Sequence, residues 1–136
     1  MKKYTALILI AIFLLALTGC GSQQVQVVVP GDSDLYTEEA IRDAVEVVLD
    51  QYENQKEIIL YSVVYAGDHR AREEKEYYVT EQHQMEADQV IVLNTSGRVN
   101  PDFQGNLDPD EIEQDVSWVL GRKTGGPWQL IAGPIE

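Results

Sequence analysis

The side chains best suited to acid–base or nucleophilic chemistry in this chain are two histidines, one aspartate and one cysteine. His69 and His83 fall in a strongly polar stretch, so we interpret both as solvated surface histidines. Asp115 is the least implausible general base, but we expect it at a strand start facing water. Cys20 has no neighbouring histidine to activate its thiol. These residues predict no catalytic site, and an enzyme is the less favoured interpretation.

Three other side chains have the chemistry to bind a ligand. Arg122 would share a strand face with Leu120, and a guanidinium there could hold an anionic ligand bidentately. Trp118 and Trp128 could line a pocket. We name Arg122, Trp118 and Trp128 as ligand-binding candidates. The preferred interpretation is structural, with Arg122 paired to a carboxylate and both tryptophans packed as cross-strand core residues.

Acidic residues gather between Asp102 and Glu113, as they do in calcium-binding loops, but the EF-hand pattern fails. Glu111 stands where that pattern needs a glycine, and Ser117 stands where it needs a bidentate glutamate. We therefore expect a turn-rich acidic surface loop without a metal, and we predict no cofactor.

The N-terminus has the layout of an export signal. Two lysines precede an apolar run over residues 6–17, and Thr18 and Gly19 supply small residues before Cys20. The run is shorter than the roughly 20 residues that a membrane-spanning helix needs. A cysteine in this position resembles the lipobox of bacterial lipoproteins, in which the thiol is diacylglycerated and the chain is cut before it.

That resemblance implies a signal peptide over residues 1–19, a lipidated Cys20 and tether over 20–34, and one globular domain over 35–136. The protein would be anchored by its acyl chains, palmitate among them, on the extracytoplasmic face of the cell membrane. Two or more acyl chains hold a protein to a bilayer without a basic patch. Plain secretion and an uncleaved anchor are the alternatives. Residues 25–29 form an apolar patch that we interpret as the stiff end of the tether, with an edge strand as the alternative.

The chain is strongly acidic, with a net charge of −13. Removing residues 1–19, which hold two lysines and no acid, takes the charge to −15. Such a chain is repelled by nucleic acid and by anionic phospholipid, so we exclude a nucleic-acid partner. We interpret the acidity as a source of solubility, with a surface for cations or a basic partner as the alternative. A single cysteine also permits no internal disulfide.

Apolar periodicity predicts two helices and four strands. Thr37 is a good N-cap for a long first helix, whose apolar residues recur at i, i+3 and i+4 as far as Tyr52. Ala71, Tyr78 and Met85 form a narrow apolar seam on a second, surface helix over 69–84. Strands are predicted over 57–66, 89–95, 114–123 and 128–132, with a polar loop over 96–112 and a Gly-Gly hairpin before the last strand. This order favours an α+β fold with the first helix laid across a sheet.

The C-terminal half resembles a family of small Gram-positive lipoproteins whose domain has no assigned activity. The resemblance rests on Val90-Ile91-Val92-Leu93, Gly105-x-Leu107-x-Pro109, Trp118-x-Leu120-x-Arg122 and Gly125-Gly126-x-Trp128. It implies a cystatin-like fold, of the kind shared with nuclear-transport-factor-like domains, in which a curved antiparallel sheet of about four strands wraps a long helix. Ile112 and Val116 stand where the family often has an aromatic residue.

These observations predict a non-catalytic lipoprotein that binds an envelope protein or a small ligand outside the cell. A small enzyme of the cone-shaped fold, of isomerase or dehydratase type, is one alternative. An inhibitor or immunity-type protein is another, by analogy with the architecture alone.

Overall fold

A computed structural model describes residues 24–103, 105, 108 and 111–135. The predicted signal peptide and Cys20 lie outside the described residues, as do several positions of the acidic loop. The elements, in chain order, are β1 (Gln26–Val28), α1 (Glu38–Asn54), β2 (Ile58–Tyr65), α2 (Asp68–Lys75), a π-helical turn (Glu76–Glu81), β3 (Gln89–Val99), β4 (Ile112–Arg122) and β5 (Gln129–Ile135).

The strands form one five-stranded mixed sheet in the order β1-β2-β3-β4-β5. Within β2 to β5, neighbouring strands pair antiparallel, and the fold is of the predicted α+β class. The sheet has one more strand than predicted, because β1 pairs parallel with β2.

Strand β1 contradicts the interpretation of residues 25–29 as the end of a linker. Its backbone is in register with Ser62–Val64 of β2. Val25, Val27 and Val29 pack against the core, whereas Val28 points outward and is 40% exposed. This alternation is what a half-buried edge strand requires. The domain therefore includes part of the predicted tether.

Helix α1 forms where its cap and periodicity predict. The Thr37 side chain accepts a hydrogen bond from the backbone N–H of Ala40 at 3.1 Å. Two glutamates in the first turn face the positive end of the helix dipole. Its buried face, from Ala40 to Val48, packs on the sheet.

Each face of the sheet carries its own apolar core, since side chains of successive strand residues point to opposite faces. The larger core lies between α1 and the sheet and contains Ile41, Ala44, Val45, Val48, Leu60, Val63, Tyr65, Ile91, Leu93, Trp118, Leu120 and Trp128. The smaller core lies on the opposite face, where Tyr78 and Val79 of the π-helical turn pack on Val90, Val92 and Val119. The predicted second helix over 69–84 is α-helical only over Asp68–Lys75. Ala71 and Tyr78 of its predicted apolar seam pack inward, whereas Met85 lies after the π-helical turn.

The remaining differences from the predicted strands lie in β3 and β5, each of which contains a register shift in its pairing with β4. Strand β3 continues to Val99 and pairs with Ile112, so much of the predicted loop over 96–112 is strand. Gly97 was interpreted as a loop residue, but it lies in β3 and pairs with Leu60 of β2. A glycine is needed at this position because a Cβ would lie 2.7 Å from the carbonyl oxygen of Ile59. In β5 the register shifts, so Ala132 joins the smaller core instead of sharing the face of Trp128.

Among the helices of the described residues, none combines the length and the apolar character needed to cross a bilayer.

Candidate functional site

Trp118 lies inside the larger core and is 2% exposed. Its indole N–H donates to the Thr95 hydroxyl at 3.1 Å and lies 3.3 Å from the Tyr52 hydroxyl. The Tyr52 ring meets the indole edge-on, with 5.5 Å between centroids. These contacts give Trp118 a structural role as a core residue with a satisfied polar group.

Trp128 closes the core at the opposite end of α1 and is 5% exposed. Its indole N–H donates to the backbone carbonyl of Ala40 at 3.0 Å, which ties the start of β5 to the first turn of the helix. The ring of Tyr36 packs edge-on against it at 5.6 Å. Trp128 therefore supports the Tyr36 ring from the side of the core.

Arg122 contacts the Trp128 ring and the Gln89 side chain, and not a carboxylate. Its guanidinium carbon lies 4.2 Å from the centroid of the Trp128 ring, a cation–π arrangement. Its Nε–H donates to the Gln89 side-chain oxygen at 2.6 Å. No described carboxylate lies within ion-pair distance of Arg122. The expected carboxylate partner is thus absent from the described part of the chain, and the Arg122 charge is not neutralised there.

Gln89 and Tyr36 also line an open cleft of about 340 Å³ between α2 and the start of β3. We call it the cation cleft, and its lining residues are Leu35, Tyr36, Ala71, Arg72, Lys75, Asp88, Gln89 and Val90. Three separate segments meet here: the residues before α1, one face of α2, and the first residues of β3. Arg122 stands behind Gln89 at its edge.

Asp68, the first residue of α2, fixes the geometry of the cleft. Its carboxylate accepts hydrogen bonds from the Ser33 hydroxyl at 2.6 Å, the Tyr65 hydroxyl at 2.6 Å and the backbone N–H of Asp34 at 2.7 Å. Burial alone would raise the pKa of this carboxyl group. The three hydrogen bonds and the nearby Arg72 outweigh burial and lower its pKa below 3.8. Asp68 therefore holds the residues before α1 against the second helix as a charged acceptor.

Tyr36 lines the cleft, and its hydroxyl group is partly buried. That hydroxyl donates to the carbonyl oxygen of Val90 at 2.5 Å. Burial raises its pKa above 10.0, and the hydrogen bond to Val90 and the positive charge of Arg122 partly oppose this shift. Arg122 therefore lies close enough for its charge to act on the Tyr36 hydroxyl group.

Arg72 and Lys75 supply the positive charge on the opposite wall, one helical turn apart. Lys75 donates to the carbonyl oxygen of Asp88 at 2.7 Å. Neither side chain forms an ion pair with a described residue, whereas Arg70 on the outer face of α2 is paired with Glu74 at 2.6 Å. The cleft thus places two cations that form no ion pair with a described residue, with a third beside them, in a strongly acidic chain.

The residues considered for catalysis lie elsewhere and apart from one another. His69 and His83 are exposed, as expected for surface histidines. Asp115 is exposed inside β4 at the bulge, with a φ of 54°, and not at a strand start. Thr95 is the buried polar residue of the described core, so the space between α1 and the sheet offers no described carboxylate or imidazole as a base. No cluster of metal-binding side chains occurs among the residues that the structure describes.

The sequence analysis identified Arg122 but missed the rest of the cation cleft. The i, i+3 spacing of Arg72 and Lys75 on the polar helix was an available signal, because such residues share one helix face. Tyr36 and Gln89 gave no comparable signal, since their roles depend on contacts distant in sequence. No family model, no curated protein and no solved structure matches this chain.

Proposed function

We propose that this protein is a lipid-anchored, extracytoplasmic lipoprotein whose domain binds a small anionic ligand in the cation cleft. The ligand would carry a carboxylate or phosphate group. The observation that carries the proposal is the absence of an ion-pair partner, among the described residues, for Arg72, Lys75 and Arg122. The activity is binding without catalysis.

The electrostatics of the whole chain support this assignment. Acids outnumber bases 23 to 10, so an isolated surface cation would have many carboxylates within reach. Cations left unpaired around one concave surface create a local positive field, which concentrates anions there. Exposed ion pairs contribute little to stability, typically about 0–1 kcal/mol, so leaving these cations unpaired costs the fold little.

The side chains around the cleft also suit an anion geometrically. Arg122 is oriented by Gln89 and by the face of Trp128, which leaves its terminal N–H groups as donors. Lys75 has further N–H donors besides the one directed at Asp88. Asp88, the carboxylate that lines the cleft, accepts a hydrogen bond from the Thr124 backbone at 3.1 Å.

A cystatin-like lipoprotein is the architecture that we propose for this binding domain. The long helix α1 on an antiparallel set of strands supports it. The N-terminal signal, the small residues before Cys20 and the motifs around Trp118 and Gly125 support the lipoprotein family.

Calorimetric titration of the full chain in a non-ionic detergent, with inorganic phosphate and with citrate, tests the cleft. At fixed ionic strength we expect the double variant Arg72→Gln/Lys75→Gln to weaken binding by about tenfold or more, since each charged hydrogen bond is worth about 1.5–3 kcal/mol. Lys56→Gln is the control variant. It removes one positive charge that lies just after the C-terminal end of α1, away from the cleft. Equal weakening in the control and in the double variant, or no binding of either anion, would overturn the proposal.

Metabolic labelling with an alkyne-tagged palmitate tests the anchor independently. Cells producing the wild-type chain should yield a labelled protein, and Cys20→Ala should abolish the label and retain the precursor. Unchanged labelling of Cys20→Ala would rule out the lipoprotein assignment but leave the cation cleft unaffected.

A further inference from the structure

We propose that a second surface, an apolar groove at the C-terminal end of α1, docks a cationic amphipathic helix of a partner protein or peptide. The groove has a volume of about 350 Å³ and lies between α1 and the start of β2. Its lining residues are Val25, Leu49, Tyr52, Glu53, Ile58, Ile59 and Leu60.

The groove presents apolar side chains to solvent. Leu49 and Tyr52 come from one face of α1, and Ile58 and Ile59 come from the first residues of β2. All four are only half-buried. Val25 closes the groove beside β1. An apolar helix face with anchors at i, i+3 or i+4 spacing matches such a groove between a helix and a strand.

Carboxylates border this apolar surface. Glu46 and Glu53 precede and follow Leu49 by three and four positions, so both neighbour Leu49 on the helix surface. Both are exposed, and neither forms an ion pair with a described residue. The one base of α1, Arg42, is paired with Glu38 at 2.7 Å. The groove therefore combines an apolar floor with an unpaired negative border.

The negative border of the groove favours a cationic partner over an anionic membrane surface. A bilayer surface rich in anionic phospholipid would be repelled by Glu46, Glu53 and the net charge of −13. A helix with an apolar stripe flanked by lysine or arginine would bury the stripe and pair with both glutamates. Complementary charge of this kind raises the association rate and fixes the register of the helix.

The groove is separate from the cation cleft, which lies beside the N-terminal end of α1. A helix of 17 residues is about 25 Å long. The docking proposal therefore does not rest on the anion-binding function, and inorganic phosphate should not compete with the cationic helix.

Surface plasmon resonance on the full chain, held in phosphatidylcholine nanodiscs, tests the proposal, with empty nanodiscs as the reference. The probe is a Leu/Lys peptide of about 14 residues patterned as an amphipathic helix. A Leu/Glu peptide and a Ser/Lys peptide of the same pattern are the control ligands. We expect specific binding of the Leu/Lys peptide alone, with an affinity that falls as salt rises.

Variants then locate the contact. Glu46→Gln/Glu53→Gln should weaken binding by about tenfold and flatten its salt dependence, and Leu49→Gln should weaken it by a similar factor. Asp43→Asn, an exposed acid on the same helix, and Val28→Gln, an exposed residue on β1, should stay within about twofold. An equal loss in Asp43→Asn would indicate attraction by net charge only. Equal binding of the Leu/Glu peptide, or no binding above empty nanodiscs, would also overturn the proposal.

Discussion

The Ser33 hydroxyl donates to the Asp68 carboxylate at 2.6 Å, across 35 residues of sequence. The same hydroxyl oxygen accepts the backbone N–H of Tyr36 at 3.0 Å. One serine thus fixes the turn before α1 and links it to the first residue of α2. Because Tyr36 and α2 form facing walls of the cation cleft, this contact sets the width of the candidate site.

Asp68→Asn tests that role at neutral pH. The variant keeps one carbonyl oxygen as an acceptor but loses the charge that strengthens three hydrogen bonds. We expect the free energy of unfolding to fall by about 1–2 kcal/mol in urea denaturation. Asp34→Asn is the matched control, because the Asp34 side chain is exposed and only its backbone N–H contacts Asp68. A stability change of similar size in both variants would contradict the role of the carboxylate.

The pH dependence of this stability difference has a definite sign. The pKa of Asp68 is lower in the folded protein than its ordinary value of 3.8. Its stabilising contribution is therefore complete above pH 4 and is lost as the pH falls through the folded pKa. The difference between wild type and Asp68→Asn should shrink in acid. A difference that stays constant from pH 7 to acid conditions would argue against a charged acceptor.

Tyrosine ionisation should be delayed in the folded chain. Burial raises the pKa of Tyr36, Tyr65 and Tyr78 above 10.0, and the hydrogen bond to Asp68 raises that of Tyr65 further. A raised folded pKa means that the stabilisation is complete below pH 10 and is lost as the pH rises through the folded value. Phenolate absorbance of the folded chain should lag behind that of the chain in urea. Identical titration curves would contradict the buried hydroxyl groups.

The sequence predicted features that depend on neighbouring residues and missed those that depend on distant ones. Helix α1 follows from the Thr37 cap and the i, i+3, i+4 spacing after it, which are local signals. Ala132 was placed on the wrong face because a bulge in β5 depends on its pairing with Val119. The sequence analysis predicted only part of the cation cleft for the same reason, because the geometry of the cleft depends on the hydrogen bond between Ser33 and Asp68.

The backbone at the end of β5 requires a glycine at position 133, and the stability of an alanine variant tests this requirement. Gly133 has a φ of 138°, and a Cβ there would lie 3.0 Å from the Trp118 ring and 3.1 Å from the Ser117 carbonyl oxygen. Gly125 also has a positive φ, of 77°, but a Cβ there meets no atom of the described residues within 4 Å. Gly133 therefore combines a backbone conformation that only glycine adopts readily with close steric contact, whereas Gly125 has a left-handed backbone alone.

Gly133→Ala should lower the free energy of unfolding by about 2–3 kcal/mol, and Gly125→Ala by only about 1 kcal/mol. Urea denaturation followed by tryptophan fluorescence measures both, since Gly133 borders the Trp118 ring. Equal losses in the two variants would show that Trp118 and the β4 backbone yield to the added methyl group.

The docking of β1 determines how much of the predicted tether is free. Val27 faces the core and Val28 faces solvent, on the same three-residue strand. Val27→Asp places an unpaired charge against the core beside Val63, so we expect it to release β1 from β2 and to lower stability by about 2 kcal/mol. Val28→Asp adds the same charge on the exposed face and should change stability by less than about 0.5 kcal/mol.

Hydrogen exchange of the Ser62–Val64 segment reports the release directly. In Val27→Asp the amides of this segment that point to β1 should exchange faster, while those paired between β3 and β4 keep their protection. With β1 and Val25 docked, only residues 21–24 separate the domain from Cys20, and the five steps from Cys20 to Val25 span at most about 18 Å when fully extended. Release of β1 would lengthen the segment between the domain and Cys20, the proposed lipidation site. If Val27→Asp and Val28→Asp behave alike, β1 does not restrain the tether.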